Sequence, residues 1–182
     1  LPLDLLLDAV FDPLEQGAVG LSTGLVYSPQ YHATTEEVRE LAETLADVMR
    51  PFVAHIRDER RDIWTAMDEF GDIGADVGVP LHHSHFKVVG PQQYGKADRA
   101  VSLVETNRDR GVDYVGDLYP YRAGSTMLSA VLPPWAKTGT TAETLALLSD
   151  PEARQRIRRD IEEWRLDDWH NPGKYTGWDS VV

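Results

Sequence analysis

Four short apolar runs recur along the chain at intervals of roughly 30 residues, the length of one βα unit, and that rhythm leaves few folds open. The runs occupy positions 18–25, 52–55, 79–85 and 112–118, with three helical patterns between them. The first helical pattern opens on Thr34-Thr-Glu-Glu37, a capping-box arrangement, and sets Val38, Leu41, Leu45 and Val48 on one stripe. The second carries Ile63, Trp64, Met67 and Phe70 before Gly71. The third spans 96–110 with Ala97, Val101 and Val104, and ends at Gly111, a residue suited to the C′ position. Alternation of this kind predicts an α/β fold with a parallel sheet and right-handed crossovers. No nucleotide-binding glycine fingerprint accompanies these units, which favours part of a (β/α)8 TIM-type barrel over a doubly wound sheet. A complete barrel takes about 250 residues, so the 182 residues here predict about four βα units, or half a barrel.

Positions 1–15 read as an amphipathic helix, and the opening carries Asp4 and Asp8 but no basic leader, so it does not read as a signal peptide. Leu1 is not an initiator Met and Val181-Val182 close a strand-like stretch; the expectation is an internal piece of a longer protein. No apolar run approaches the ~20 residues that span a bilayer. A net charge of −12 argues against nucleic acid, whose phosphates need a basic surface. The expectation is a soluble cytoplasmic protein that acts on a small molecule, with neither nucleic acid nor membrane as partner and its oligomeric state open. Without Cys, the residues present hold no disulfide and no thiolate nucleophile.

The rhythm breaks after Leu118. Tyr119-Pro-Tyr121 and Leu132-Pro-Pro-Trp135 are loop signals. A short helix is expected over 141–149. Asp150-Pro151-Glu152 then supplies an N-cap, a proline at the first helical position and an acidic first turn, starting a helix with Ile157, Ile161 and Trp164 on one side. The division expected is a barrel portion over 1–121 and the start of an inserted helical subdomain over 122–182, above the barrel mouth.

His55 and His85 close consecutive strand-like runs, 30 positions apart. In a parallel barrel the C-terminal strand ends converge on one mouth, where active sites are built, and two imidazoles delivered there suit a shared metal ion. His55 alone reads more readily as a half-buried histidine bonded to a loop carbonyl; the second histidine at the equivalent place in the next unit turns the balance toward ligation. The His55 neighbours Arg57 and Glu59 are candidates to hold the other ring nitrogen of a metal ligand. Strict alternation in Leu81-His-His-Ser-His85 puts His83 and His85 on one face, and His82 with Ser84 on the other. His85 is the favoured ligand; His82 is expected to face the helix layer, and His83 to lie deeper than the rim. Lys87 points as His85 does, toward a substrate carboxylate or toward solvent. Asp117 invites the label of general base, but the structural reading, a cap on the Tyr119-Pro turn, is preferred. Tyr119 and Ser125 are candidates to hydrogen-bond a substrate; Arg61, Arg158 and Arg159 belong to solvated faces.

Five motifs occur in order: Gly17-Ala-Val-Gly-Leu-Ser-Thr-Gly-Leu-Val-Tyr27, Ala54-His-Ile-Arg-Asp-Glu59, Ser84-His-Phe-Lys87, Asp117-Leu-Tyr-Pro-Tyr121 and Leu132-Pro-Pro-Trp135. Together they resemble the D-aminoacylase (N-acyl-D-amino-acid deacylase) family of the amidohydrolase superfamily, from about residue 14 to the Gly177-Trp-Asp tail. The resemblance implies that His55 and His85 are imidazole ligands of a tightly held Zn2+. It implies that Lys87, Tyr119 and Ser125 receive the carboxylate of the D-amino acid, and that Tyr27 forms part of the wall around its side chain. It also implies hydrolysis of N-acyl-D-amino acids to a carboxylate and a D-amino acid.

Departures from the family pattern are equally specific. The upstream His-x-His pair and the metal-bridging Cys are absent. The catalytic general acid/base Asp, and an Arg for the substrate carboxylate, are expected beyond Val182. Two alternatives stay open. A cyclic-amide hydrolase of the hydantoinase or dihydroorotase kind would need a lysine free for carboxylation at a metal-bridging position, and none stands at these strand ends. A catalytically incomplete piece, inactive by itself, is the other. The choice of substrate side chain or acyl group, and of one zinc or two, is open.

Overall fold

The computed structural model describes residues 3–163, 169 and 171–182. The order is α1 (Leu3–Glu15), β1 (Leu21–Gly24), α2 (Thr35–Ala46), β2 (Phe52–His55), α3 (Ile63–Val77), β3 (Leu81–His83), α4 (Ala97–Asp109) and β4 (Tyr114–Gly116), followed by α5 (Thr141–Ser149), α6 (Pro151–Glu163) and α7 (Pro172–Thr176). The four strands form one sheet in the order β1-β2-β3-β4, every pair parallel. A sheet in sequential order is what a barrel wall requires; a doubly wound sheet reverses its order at a switch point.

Leu21, Phe52, Leu81 and Tyr114 share one row across the sheet, and Thr23, Ala54, His83 and Gly116 share another two residues on. Period-two alternation sends both rows toward the helices. Accordingly Phe52, Ala54, Leu81, His83 and Tyr114 are at most 1% exposed. Phe70 of α3 is the hub, its ring 5.5 Å from Phe52, 5.5 Å from Tyr114 and 6.0 Å from His83. Burying an aromatic side chain of this size contributes about 1.5–3 kcal/mol. The intervening row, Ser22, Val53, His82 and Val115, looks to the opposite face, where Val115 is 45% exposed.

One of the expected helices differs in extent. α2 has the capping box at Thr34 and Glu37, with both reciprocal bonds made, but it ends at Ala46. Val48 therefore lies outside it and is exposed. α3, for which the sequence marked no end, runs through Gly71 and Gly74 to Val77 and closes on Gly78, left-handed at φ 77°. Both internal glycines have packing reasons. A Cβ on Gly71 would stand 2.4 Å from Asn107 Oδ1 of α4, and one on Gly74 would stand 2.5 Å from Leu81 Cδ1 of β3. In α4 the inner stripe is Ala100, Leu103, Val104 and Asn107 rather than Ala97 and Val101, which are exposed. Asn107 is the cause: as a buried polar group it follows Gly71 inward, its amide bonded to Leu103 O at 2.9 Å.

Among the described residues, 117–182 hold no strand, and Val181 and Val182 are not in one. α5 begins with a second capping box at Thr140 and Glu143, and Asp150 accepts the Ala153 N–H ahead of α6. Ile157 is buried and Trp164 lies outside the described residues. Trp135 Nε1 donates to Asp160 Oδ2 at 2.7 Å, and Asn171 Nδ2 to Val131 O at 2.7 Å, which gather this region around 131–135. Tyr175 of α7 lies against Gly90, where a Cβ would collide with its ring at 2.0 Å, so the region is packed onto the loop after β3.

Two outcomes test this packing. Gly74→Ala gains helix propensity but overpacks Leu81 and Val112, so in the full-length protein it is expected to destabilise by about 1–3 kcal/mol, read as a lower urea midpoint; an unchanged or higher midpoint would show that α3 can move away from β3. The 182-residue chain by itself leaves β1 and β4 as unpaired edges, so it is expected to self-associate. A monodisperse monomer in sedimentation velocity would contradict this.

Candidate metal and substrate site

The C-terminal ends of β1, β2 and β3, with the loops that follow, bring Tyr27, His55, Glu59, His85 and Lys87 together. His55 is the last residue of β2, in register with Gly24. Because Gly24 has no side chain, the Tyr27 ring folds back over the strand end, where a Cβ would meet Tyr27 Cδ2 at 3.0 Å. The Tyr27 ring stands edge-on to the His55 ring at 5.0 Å between centroids, and its hydroxyl is 3.0 Å from Thr126 Oγ1.

His85 reaches the cluster by a route that strand alternation does not give. β3 ends at His83, and His85 lies beyond it with φ 42°, in the left-handed region. Continued alternation would have sent its ring with His83 into the helix layer; the left-handed residue turns it over the strand end instead. Asp117 holds that turn: Oδ1 accepts the His85 N–H at 2.8 Å, and Oδ2 pairs with His82 Nε2 at 2.7 Å. The role of Asp117 is therefore to brace the neighbouring strand, not to cap the Tyr119-Pro turn. The expectation for His82 is likewise reversed. It lies on the open face beside Asp117, while the buried His83 takes the helix side, bonded through Nδ1 to Tyr114 Oη at 2.9 Å with Phe70 and Phe86 around its ring.

The His55 and His85 rings meet edge to face with centroids 4.3 Å apart. Glu59 completes the group. Its loop is fixed by Asp58, which accepts the N–H groups of Arg60 and Asp62 at 2.8 and 2.9 Å. Arg57 turns away from the site to pair with Glu69 of α3 at 2.8 Å, so of the two neighbours only Glu59 touches the histidines. Glu59 is 3% exposed. Its Oε1 is 2.9 Å from His85 Nδ1, 2.5 Å from Lys87 Nζ and 3.6 Å from His55 Nε2. One donor atom from each of His55, Glu59 and His85 lies within 4.8 Å of the others. Two ring nitrogens and a carboxylate oxygen at this spacing are a donor set that suits a borderline cation with bonds near 2.0–2.2 Å.

Burial holds the His55 imidazole down at about 4, against the pull of Glu59, so the ring is neutral at pH 7 with a lone pair free. Burial works against ionisation of Glu59 too, but the hydrogen bond from His85 and the nearby Lys87 ammonium outweigh it and hold the carboxyl at about 2. Lys87 Nζ stands 5.5 Å above the centre of the Tyr119 ring. Burial raises the Tyr119 hydroxyl above its ordinary value. Ser125 is exposed, and it is the adjacent Thr126 that reaches Tyr27.

No family model matches the chain. It is 39% identical over 121 residues to a D-aminoacylase of Alcaligenes xylosoxydans xylosoxydans, covering 66% of this chain and 25% of that protein. A crystal structure of D-aminoacylase superposes with a TM-score of 0.64 at 38% identity, over 68% of this chain and 27% of the other. An N-acyl-D-glutamate deacylase from Bordetella bronchiseptica, solved with zinc and a phosphonate mimic of the tetrahedral intermediate, gives 0.64 at 34% identity over 65% of this chain and 25% of that one. The sequential parallel sheet and these superpositions together define the fold class: the chain matches part of the TIM-type barrel of solved D-aminoacylase and N-acyl-D-glutamate deacylase structures. Its curated relatives are a D-aminoacylase, an N-acyl-D-glutamate deacylase and an N-acyl-D-aspartate deacylase, 33–39% identical, and the chain spans about a quarter of their length.

The left-handed backbone at His85 gives a direct test. His85→Gly and His85→Ala both remove the ring, but only glycine adopts φ 42° without a Cβ clash. His85→Gly is expected to be the more stable of the two by about 1 kcal/mol, measured by urea unfolding of the full-length protein. Equal stabilities would mean that the turn carries no strain.

Proposed function

We propose that the protein carrying this chain hydrolyses the amide bond of N-acyl-D-amino acids with the help of Zn2+, giving a carboxylate and a free D-amino acid. The observation that carries this reading is the convergence of His55, Glu59 and His85 at consecutive strand ends, in a chain whose relatives are D-aminoacylases and N-acyl-D-amino-acid deacylases. His55 and His85 are the proposed metal ligands. A bound zinc would supply hydroxide near neutral pH and polarise the acyl carbonyl.

The rest follows from the chain's own groups. His55, kept neutral by burial, binds a cation without first losing a proton. Lys87 has three N–H donors and three polar neighbours, Glu59 Oε1, His85 O and His85 Nδ1 at 2.5, 3.0 and 2.8 Å; with a proton on Nδ1 only the two oxygens accept, and one N–H is left for the substrate carboxylate. Tyr119, beneath the ammonium, and Ser125 are the proposed companions of Lys87, and Tyr27 a wall beside His55. Fixing the carboxylate at one side of the metal lets only one stereoisomer present its amide. Proton transfer is assigned to none of these residues; an Asp beyond Val182 is expected to supply it. Residues 1–121 are proposed as barrel and 122–182 as the start of an inserted subdomain over its mouth. Among the described residues no helix is long and apolar enough to cross a membrane; the net charge of −12 suits a cytoplasmic enzyme.

Amine release from N-acetyl-D-amino acids by the full-length protein tests the proposal. His85→Ala is expected to abolish zinc-dependent turnover. Lys87→Ala is expected to raise KM by roughly 10–100-fold, the loss of one charge-assisted hydrogen bond, with zinc retained. Undiminished turnover in His85→Ala would refute the ligand assignment, and preferential cleavage of hydantoins would favour a cyclic-amide hydrolase.

A further inference from the structure

Glu59 shares the donor cluster with His55 and His85 but is not one of the two proposed ligands, yet it is the most buried of the three and the most heavily engaged. His85 Nδ1 has two polar neighbours, Glu59 Oε1 at 2.9 Å and Lys87 Nζ at 2.8 Å. A carboxylate only accepts hydrogen bonds and an ammonium only donates them, so the two make opposite demands on one nitrogen. If Nδ1 carries the proton and donates to Glu59, Nε2 keeps its lone pair for a cation. If Nδ1 accepts from Lys87, the proton of the neutral ring sits on Nε2 and closes it to metal. The same Oε1 also holds Lys87 Nζ, at 2.5 Å.

Resting on the proposed metal and substrate roles, we infer that Glu59 is a positioning residue that selects the Nδ1–H form of His85, freeing Nε2 for the cation, and at the same time draws the Lys87 ammonium away from that ring. One carboxylate oxygen thereby links the metal side of the site to the side that receives the substrate carboxylate. The backbone serves this arrangement: Glu59 O accepts the Val89 N–H at 2.9 Å, tying the loop after β2 to the segment that carries His85 and Lys87. A partner that fixes the orientation and tautomer of a metal-bound imidazole is worth roughly 10–100-fold in metal affinity.

The test is zinc affinity of the full-length protein, measured by competition with a chromophoric chelator. Glu59→Met removes the acceptor at similar length, and a roughly 10–100-fold loss of affinity is expected. Glu59→Gln keeps a carbonyl acceptor at the same reach and is expected to fall between Glu59→Met and the wild type. The decisive variant is Glu59→Met with Lys87→Met: removing the competing ammonium is expected to return a substantial part of the lost affinity. Wild-type affinity in Glu59→Met overturns the inference. So does a double variant no better than Glu59→Met, because a direct ligand or a merely structural group would not be rescued by loss of Lys87. If Glu59→Met does not fold by circular dichroism, Glu59→Gln with and without Lys87→Met carries the same comparison. His85→Ala separates the two layers: unchanged zinc affinity there removes the underlying metal reading, whereas loss in His85→Ala with none in the Glu59 variants removes only the inference.

Discussion

The site depends on one departure from regular backbone, the left-handed residue at His85. A β-strand sends alternate side chains to opposite faces, and His83 obeys that rule by filling the helix-side core. Two residues later the same rule would have buried His85 beside it. Ending β3 at His83 and inverting the chain at His85 turns one ring inward to packing and the next over the strand end toward His55. Asp117, delivered by the neighbouring strand, accepts the His85 N–H and so fixes the inversion from outside the strand.

Stiffness for this comes from the helix side of the sheet. The rows through Phe52, Leu81 and Tyr114 and through Ala54 and His83 are sealed by Phe70, and close contact is possible because α3 offers glycine where Asn107 and Leu81 press against it. The loops after β2 and β3 are then tied down by polar groups with defined partners: Asp58 with its own turn, Arg57 with Glu69, and Glu59 with Lys87 and His85. Chemistry is placed on the loops and rigidity in the strands and helices beneath them, the usual division in parallel α/β barrels.

Much of this was legible in the residues. The interval between apolar runs specified sequential parallel strands; the Thr-x-x-Glu box at Thr34, and Asp150-Pro151, marked helix starts that the structure has. The spacing of His55 and His85 pointed to one mouth, and the two rings do meet. What periodicity could not supply was where it stops. Extending β3 to His85 placed His82 and His83 on the wrong faces, because strand alternation says nothing about a left-handed residue. Nor could the pattern around Gly71 show why a glycine stands there: a glycine that ends a helix and one that admits Asn107 from α4 are the same letter, and only the partner tells them apart. Glu59 was noticed as a neighbour of His55, but its spacing four residues on could not reveal a buried carboxylate shared with a lysine of the next unit. Asp117 was read as structural, with the wrong partner, since its hydrogen bond crosses between strands.

The central claim is that imidazoles from consecutive strands share one cation. Crystals of the full-length protein grown with zinc and measured on either side of the zinc absorption edge address it most directly. An anomalous peak bonded at about 2.0–2.1 Å to a ring nitrogen of His55 and to one of His85 is expected. A zinc held without either ring, or two rings turned away from a common centre, would contradict it.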